Sequence, residues 1–228
     1  MGRTLVCADL HGRGDLWDKI KEFLKSDDIL YMLGDAGDRG NDSWRVLKEA
    51  VRHPQVIYIL GNHDMMLMDS FLYHRDKFLW FQNGGQKTWT GAKRDPEARS
   101  VINALKQCPY HATYVNKDNV KIYLNHSGCV SDDPIAETWD RRHYISDQKS
   151  KIYDIIIHGH TPIDSMIDDL TNAYGIDYDW EYGKVCYYLD RTKINIDCGA
   201  YWEDFTIILD LDTFEEYVIG TVNKERAW

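Results

Sequence analysis

The sequence predicts an α/β fold, with two packed mixed β-sheets flanked by helices in a single domain over residues 1–228. Three observations carry this expectation. The first third of the chain alternates short apolar runs with segments of helical periodicity, three times over. The second half is richer in short apolar runs, which implies a second sheet packed on the first. A length of 228 residues with 43% hydrophobic side chains is enough for one substantial core, and no linker rich in Pro, Gly or Ser divides it.

The elements follow in order. Arg3 to Ala8 reads as a buried strand ending at Asp9. Gly14 to Lys25 places Leu16, Trp17, Ile20, Phe23 and Leu24 at helical spacing. Asp28 to Leu33 is a second buried strand, broken at Gly34-Asp35. Ser43 to Val51 is expected as a helix with Ser43 as N-cap. Gln55 to Leu60 is a third strand, broken at Gly61-Asn62, and Asp64 to Trp80 reads as one long helix. In open α/β sheets ligands bind beyond the carboxyl ends of the strands, so these breaks gather Asp9, Asp35 and Asn62 at one edge.

Gly85 to Cys108 is polar, with a helix expected around Pro96 to Lys106, and suits a cap beside that edge. Val120 to Asn125 is a strand ending at His126, and Ile152 to Ile157 is one ending at His158-Gly159-His160. Lys193 to Asp197 and Phe205 to Leu211 complete the expected strands. The acidic, Tyr-rich stretch from Asp164 to Asp190 has no clear assignment, with Asp177 to Gly183 as a hairpin tip or inserted loop.

Composition excludes several classes. A net charge of -10 argues against non-specific grip on a nucleic-acid backbone or an anionic membrane, so neither is expected as a partner. It leaves room for an anionic substrate if bound metal reverses the local field. The five cysteines are odd in number and form no CxxC pair, which favours free thiols over a disulfide framework or structural zinc. No apolar run has signal-peptide or membrane-spanning length, and the expectation is a soluble, cytoplasmic protein. Oligomeric state has no signature here.

Five short motifs stand in order, each after an apolar run. They are Asp9-Leu10-His11, the seven residues Gly34 to Gly40, Gly61-Asn62-His63-Asp64, His126-Ser127-Gly128 and Gly159-His160-Thr161-Pro162. Singly, Asp-x-His is a chance pattern, a His after a strand is usually a satisfied polar residue, and the glycines read as turns. Together, GDxxDRG with GNHD and two later His motifs form a specific set.

In these motifs the sequence resembles the calcineurin-like metallophosphoesterases. More narrowly, it is similar to the phosphoprotein phosphatase family in its short bacterial and bacteriophage form. The resemblance runs from Arg3 to about Ala200 and includes the late stretch Ile194 to Ala200. It implies a four-layer sandwich with metals at the strand carboxyl ends. It also implies that Asp9 and His11 hold a first divalent cation, that Asp35 bridges to a second, and that Asn62, His126 and His160 complete the second site. Carboxylate, imidazole and amide oxygen suit Mn²⁺, Fe or Zn²⁺ better than an all-oxygen Mg²⁺ site, and Mn²⁺ is the expected ion.

The mechanism so implied is in-line attack on phosphorus by metal-activated water. His63 is expected to protonate the leaving oxygen, with Asp38 hydrogen-bonded to its ring. Arg39 and Arg141 are expected to clamp the phosphate with forked donors, with Arg142 as a competitor for the second position. Asp64 reads as a helix-start group. His158 shares strand parity with His160 and is a weaker candidate ligand. Met65 to Met68 read as the packed start of a helix.

The expected reaction is hydrolysis of phosphate monoesters, with a serine/threonine phosphoprotein as leading substrate class, because the cap region is modest and an open cleft admits a phosphorylated segment. Symmetrical dinucleoside tetraphosphate hydrolysis is the alternative. RNA-end phosphate removal lacks a basic track. A metal-bound, non-catalytic scaffold is the reading from another class, disfavoured because every expected ligand and His63 are present.

Overall fold

The computed structural model describes residues 2–141, 150–174 and 180–223. Strand β1 (Thr4–Cys7), helix α1 (Gly14–Phe23), strand β2 (Ile29–Met32), helix α2 (Ser43–Arg52) and strand β3 (Val56–Tyr58) open the chain. Helices α3 (Asn62–Leu72), α4 (Phe78–Gln82), α5 (Gln86–Arg94) and α6 (Ala98–Leu105) follow. Next come β4 (His111–Val115), β5 (Lys121–Asn125), α7 (Pro134–Trp139), β6 (Ile155–His158) and α8 (Ile163–Tyr174). Strands β7 (Cys186–Tyr188), β8 (Lys193–Asn195), β9 (Phe205–Asp210) and β10 (Glu216–Gly220) complete the described elements.

Two mixed five-stranded sheets result, ordered β10-β9-β1-β2-β3 and β4-β5-β6-β8-β7. Within the first, β1, β2 and β3 run parallel. Within the second, β5, β6 and β8 run parallel. The antiparallel strands lie at the margins.

Side-chain alternation explains the layers. Val6 on β1, and Ile207 and Leu209 on β9, pack with Ile122, Leu124, Ile157 and Ile194 of the second sheet. Their neighbours Leu5, Cys7, Leu30, Met32 and Ile208 face the other way, onto Trp17 and Ile20 of α1 and Val46, Leu47 and Ala50 of α2. On the far side of the second sheet, Ile163 and Met166 of α8 pack with Cys186 and Tyr188. The order is therefore helix, sheet, sheet, helix. Strands buried on both faces read as continuous apolar runs, which is why β1 and β2 stand out in the sequence.

Several boundaries differ from expectation. Ser43 is the first helical residue of α2 and not its cap, since its hydroxyl is drawn back to donate to the Gly40 carbonyl at 2.7 Å. The helix expected over Asp64 to Trp80 begins two residues earlier, ends at Leu72 and resumes as α4. Helical periodicity cannot show that break, because Tyr73 to Lys77 carry no glycine or proline. The Gly85 to Cys108 region holds two helices, with Asp95-Pro96 between them. Strands β4, β7 and β10 have mixed exposure and were not expected. The unassigned stretch begins with helix α8, while the 177–179 part of the suggested hairpin lies outside the described residues.

Candidate metal and phosphate site

The carboxyl ends of β1, β2, β3, β5 and β6 converge on one edge of the sandwich. Backbone links lock them together. His11 N donates to Asp35 O at 2.9 Å, and Gly159 N donates to His126 O at 3.0 Å. His126 Nδ1 donates to the Leu33 carbonyl at 2.7 Å, which ties the two sheets directly. Close approach dictates glycine at two of these turns. A Cβ on Gly61 would lie 2.1 Å from Asp35 Oδ1, and one on Gly159 would lie 2.0 Å from Asp9 Oδ2.

Asp9, His11, Asp35, Asp38, Arg39 and His160 all adopt positive φ, between 42° and 69°. For non-glycine residues that region costs about 1–3 kcal/mol each and persists where the surroundings over-determine it, commonly at functional sites. The strain turns each side chain out of its strand direction and into the shared edge.

All six expected ligands meet there. Asp35 belongs to both clusters of metal-binding character among the described residues, with His11 and His63 on one side and Asp9 and His126 on the other. His126 Nε2 lies 3.0 Å from Asn62 Oδ1, 3.4 Å from Asp35 Oδ2 and 3.2 Å from His160 Nδ1. His160 Nδ1 lies 3.1 Å from the same Asn62 oxygen. Ligands about 2.1 Å from one ion sit about 3.0–3.4 Å from each other in octahedral or tetrahedral geometry, so this spacing fits a cation at their centre.

On the other side, His11 Nδ1 donates to the Gly37 carbonyl at 3.1 Å and leaves Nε2 facing Asp9 Oδ1 at 3.9 Å and Asp35 Oδ2 at 3.8 Å. Asp9 Oδ1 is fully buried with no hydrogen-bond partner. An acceptor left bare in this way is costly, and a cation is the partner it lacks. The donor set therefore fits two divalent cations sharing Asp35.

Electrostatics agrees. Burial raises the Asp9 carboxyl well above its usual range, and Asp197 adds to that. Burial also pushes Asp197 up, to about 6. Burial opposes charge on Asp35 too, but His126, His63 and His11 outweigh it and hold Asp35 well below the usual carboxylate range. His126 pays desolvation but gains from Asp35 and Asp9, which push it up to about 10. Burial and neighbouring cations depress His11 and His160.

His63 adjoins His11 and Asp35 and has partners of its own. Its Nδ1 is 2.6 Å from Asp38 Oδ2, and its Nε2 is 3.2 Å from the Arg39 guanidinium and 3.9 Å from Asp35 Oδ2. Its ring meets that of His11 edge-on at 4.9 Å. Arg141 also reaches the site, where Nε donates to His160 Nε2 at 3.1 Å. That bond puts the ring proton of His160 on Nδ1. Ligation through Nδ1 would move the proton to Nε2 and release Arg141. Arg142 lies outside the described residues.

His158 stands outside both candidate clusters. Its Nε2 is 2.6 Å from the Tyr188 hydroxyl, and burial depresses it to about 3. Strand parity misleads here because His160 lies beyond the strand, at φ 69°. Asp64 serves the start of α3, accepting from Gly61 N at 2.9 Å and Asp35 N at 3.2 Å. Met66, Leu67 and Met68 are core residues, as expected.

Three contributors were not singled out from sequence. Trp80 Nε1 donates to Asp38 Oδ2 and Thr88 Oγ1 to Asp38 Oδ1, each at 2.5 Å. Asp197 is buried beside Asp9. The signal for the first two is Asn83-Gly84-Gly85, a turn that brings Gly84 O to within 3.0 Å of Arg39 N.

Residues 2–198 match the calcineurin-like phosphoesterase family. The chain belongs to that family and is a metal-dependent phosphoesterase by fold and donor set. Among solved structures, it is similar to a metallophosphoesterase from Sphaerobacter thermophilus, with a TM-score of 0.60, 16% identity, and coverage of 97% of this chain and 88% of that one. A putative diadenosine tetraphosphatase gives a TM-score of 0.59 at 15% identity, covering 97% and 95% of the two chains. A cold-active protein tyrosine phosphatase gives 0.57 at 14%, covering 97% and 81%. At these identities the likeness concerns the fold. No curated protein matches the sequence. No helix among the described residues is long and apolar enough to cross a membrane.

Proposed function

We propose that the protein hydrolyses phosphate monoesters and that its substrate is a serine or threonine phosphoprotein. The observation that carries the chemistry is the Asp38–His63 pair, 2.6 Å apart, with His63 Nε2 presented beside Arg39 at the edge of the candidate metal cluster. Two cations held by Asp9, His11, Asp35, Asn62, His126 and His160, with Mn²⁺ as the expected ion, would supply acidified water and neutralise phosphoryl charge.

The chain's own groups do the rest. Asp38 orients the His63 ring by accepting from Nδ1, and once Arg39 turns from Nε2 to the phosphoryl oxygens a protonated Nε2 can deliver its proton to the leaving oxygen. Arg39, half-buried, and Arg141, exposed, flank the site and offer forked donors to the phosphoryl oxygens. An exposed arginine at the rim suits a substrate that arrives as part of a larger chain.

A second reading is hydrolysis of symmetrical dinucleoside tetraphosphates, favoured by the near-equal length of this chain and the putative diadenosine tetraphosphatase that shares its fold. Turnover of a phosphoserine peptide and of diadenosine tetraphosphate, side by side with Mn²⁺, separates the two. Higher kcat/KM on the peptide supports the first reading, and higher kcat/KM on the dinucleotide overturns it.

A further inference from the structure

A cavity of about 510 Å³ opens beside Arg39, lined by Arg39, Gln82, Asn83, Gln86, Lys87 and Tyr201. Its position relative to the chemistry is fixed by one contact. Arg39 Nη2 is 3.2 Å from His63 Nε2, the atom that faces the leaving oxygen. With His63 as the proposed proton donor, Arg39 links the edge from which the leaving group would depart to this cavity.

The lining chemistry differs from that of three other cavities, each of which includes carboxylates. In a chain of net charge -10, the lining contains no carboxylate, two cations, three carboxamides and a phenol. Lys87 Nζ donates to Asn41 Oδ1 at 2.8 Å and to the Arg39 carbonyl at 3.2 Å, both neutral acceptors. Among the described residues, neither Arg39 nor Lys87 forms an ion pair, and the cavity lining holds no carboxylate to compete for them. Lys87 is exposed, so its charge is available at the cavity wall.

We propose that this cavity is a leaving-group subsite that takes a carboxylate flanking the phosphorylated residue of an acidic phosphopeptide. The proposal rests on the phosphoprotein reading above. Lys87 provides the charge that selects the carboxylate, and Gln82, Asn83, Gln86 and Tyr201 offer hydrogen bonds to it without demanding one geometry. A neutral flanking side chain leaves those groups to water and gains nothing from Lys87.

The test is a selectivity ratio. It compares kcat/KM for a phosphoserine peptide with aspartates beside the phosphoserine with kcat/KM for the same peptide carrying alanines there. The wild type is expected to favour the acidic peptide, mainly through KM. Lys87→Ala is expected to cut the ratio about fivefold, the scale of an exposed charge pair, and Lys87→Glu to invert it. Lys93→Ala, which removes a charge from the far end of the same helix, is expected to keep the ratio. A ratio near one in the wild type, or one that Lys93→Ala and Lys87→Ala lower equally, overturns the subsite while leaving the phosphoprotein reading intact. If neither peptide is turned over but diadenosine tetraphosphate is, the phosphoprotein reading and the carboxylate assignment both fall. A fivefold loss in Lys87→Ala on that dinucleotide would then reassign the cavity to a leaving phosphate.

Discussion

His63 Nδ1 lies 2.6 Å from Asp38 Oδ2, and that carboxylate is also held by Trp80 Nε1 and Thr88 Oγ1. The proposed proton donor is thus oriented through Asp38 by residues of the α4–α5 region. The other ring nitrogen, Nε2, lies 3.2 Å from Arg39 Nη2.

Loss of the donor itself should depend on the leaving group. His63→Asn is expected to lower kcat about 10²–10⁴-fold on an alkyl phosphate and much less on p-nitrophenyl phosphate, whose leaving oxygen needs little protonation. Steady-state rates on both esters check this. Equal losses on the two would remove His63 from the proton-transfer role.

The orienting pair should act on kcat more than on KM. Trp80→Phe and Thr88→Val each remove one donor to Asp38 while keeping most of the buried volume. Each is expected to lower kcat about tenfold with KM nearly unchanged, since the lost interaction serves the reacting geometry. Circular dichroism would confirm that the variants fold. A change confined to KM would contradict the account.

Much of this site was legible in the sequence, and the reasons are physical. Asp9, Asp35, Asn62, His126 and His160 follow apolar runs that end in turns, so each could be assigned to a strand's carboxyl end. Parity offered His158 as a weaker candidate beside His160, but the strand stops at His158 and parity does not carry past it. Trp80, Thr88 and Asp197 were hidden for a different reason. Their roles depend on packing between elements, and a buried Trp or Thr looks the same in sequence whether or not it donates to a working carboxylate. The break at Tyr73 to Lys77 was hidden because no local residue marks it.

Metal uptake should release protons. His126 is pushed up to about 10 by Asp35 and Asp9 after desolvation is overcome, so it is protonated at neutral pH until a cation displaces that proton. Affinity for Mn²⁺ is therefore expected to rise about tenfold per pH unit between pH 6 and 8 for one proton released. Titration calorimetry in buffers of different ionisation heat counts the protons. A pH-independent affinity with no proton release would contradict this.

Away from the site, Asp28 should contribute to stability with a defined pH window. Burial alone would raise its carboxyl, but Arg3 and the backbone N–H groups of Lys25 and Arg3 outweigh it and lower it to about 2. The unfolded value is about 3.9, so the stabilisation is full above that value and is lost as pH falls toward 2. Asp28→Asn is expected to cost about 1–2 kcal/mol at pH 7, and the difference should shrink by pH 3. Urea unfolding at the two pH values measures it, and an equal cost at both would contradict the assignment.

The central claim is that two cations sharing Asp35 are needed for phosphoester hydrolysis. The most direct measurement strips the protein of metal, adds back Mn²⁺ and follows p-nitrophenyl phosphate hydrolysis against bound metal, with Asp35→Asn alongside. The account predicts no activity in stripped protein, recovery that saturates at about two equivalents, and loss of both activity and binding in Asp35→Asn. Full activity without metal, or two tightly bound equivalents with no hydrolysis, would contradict it.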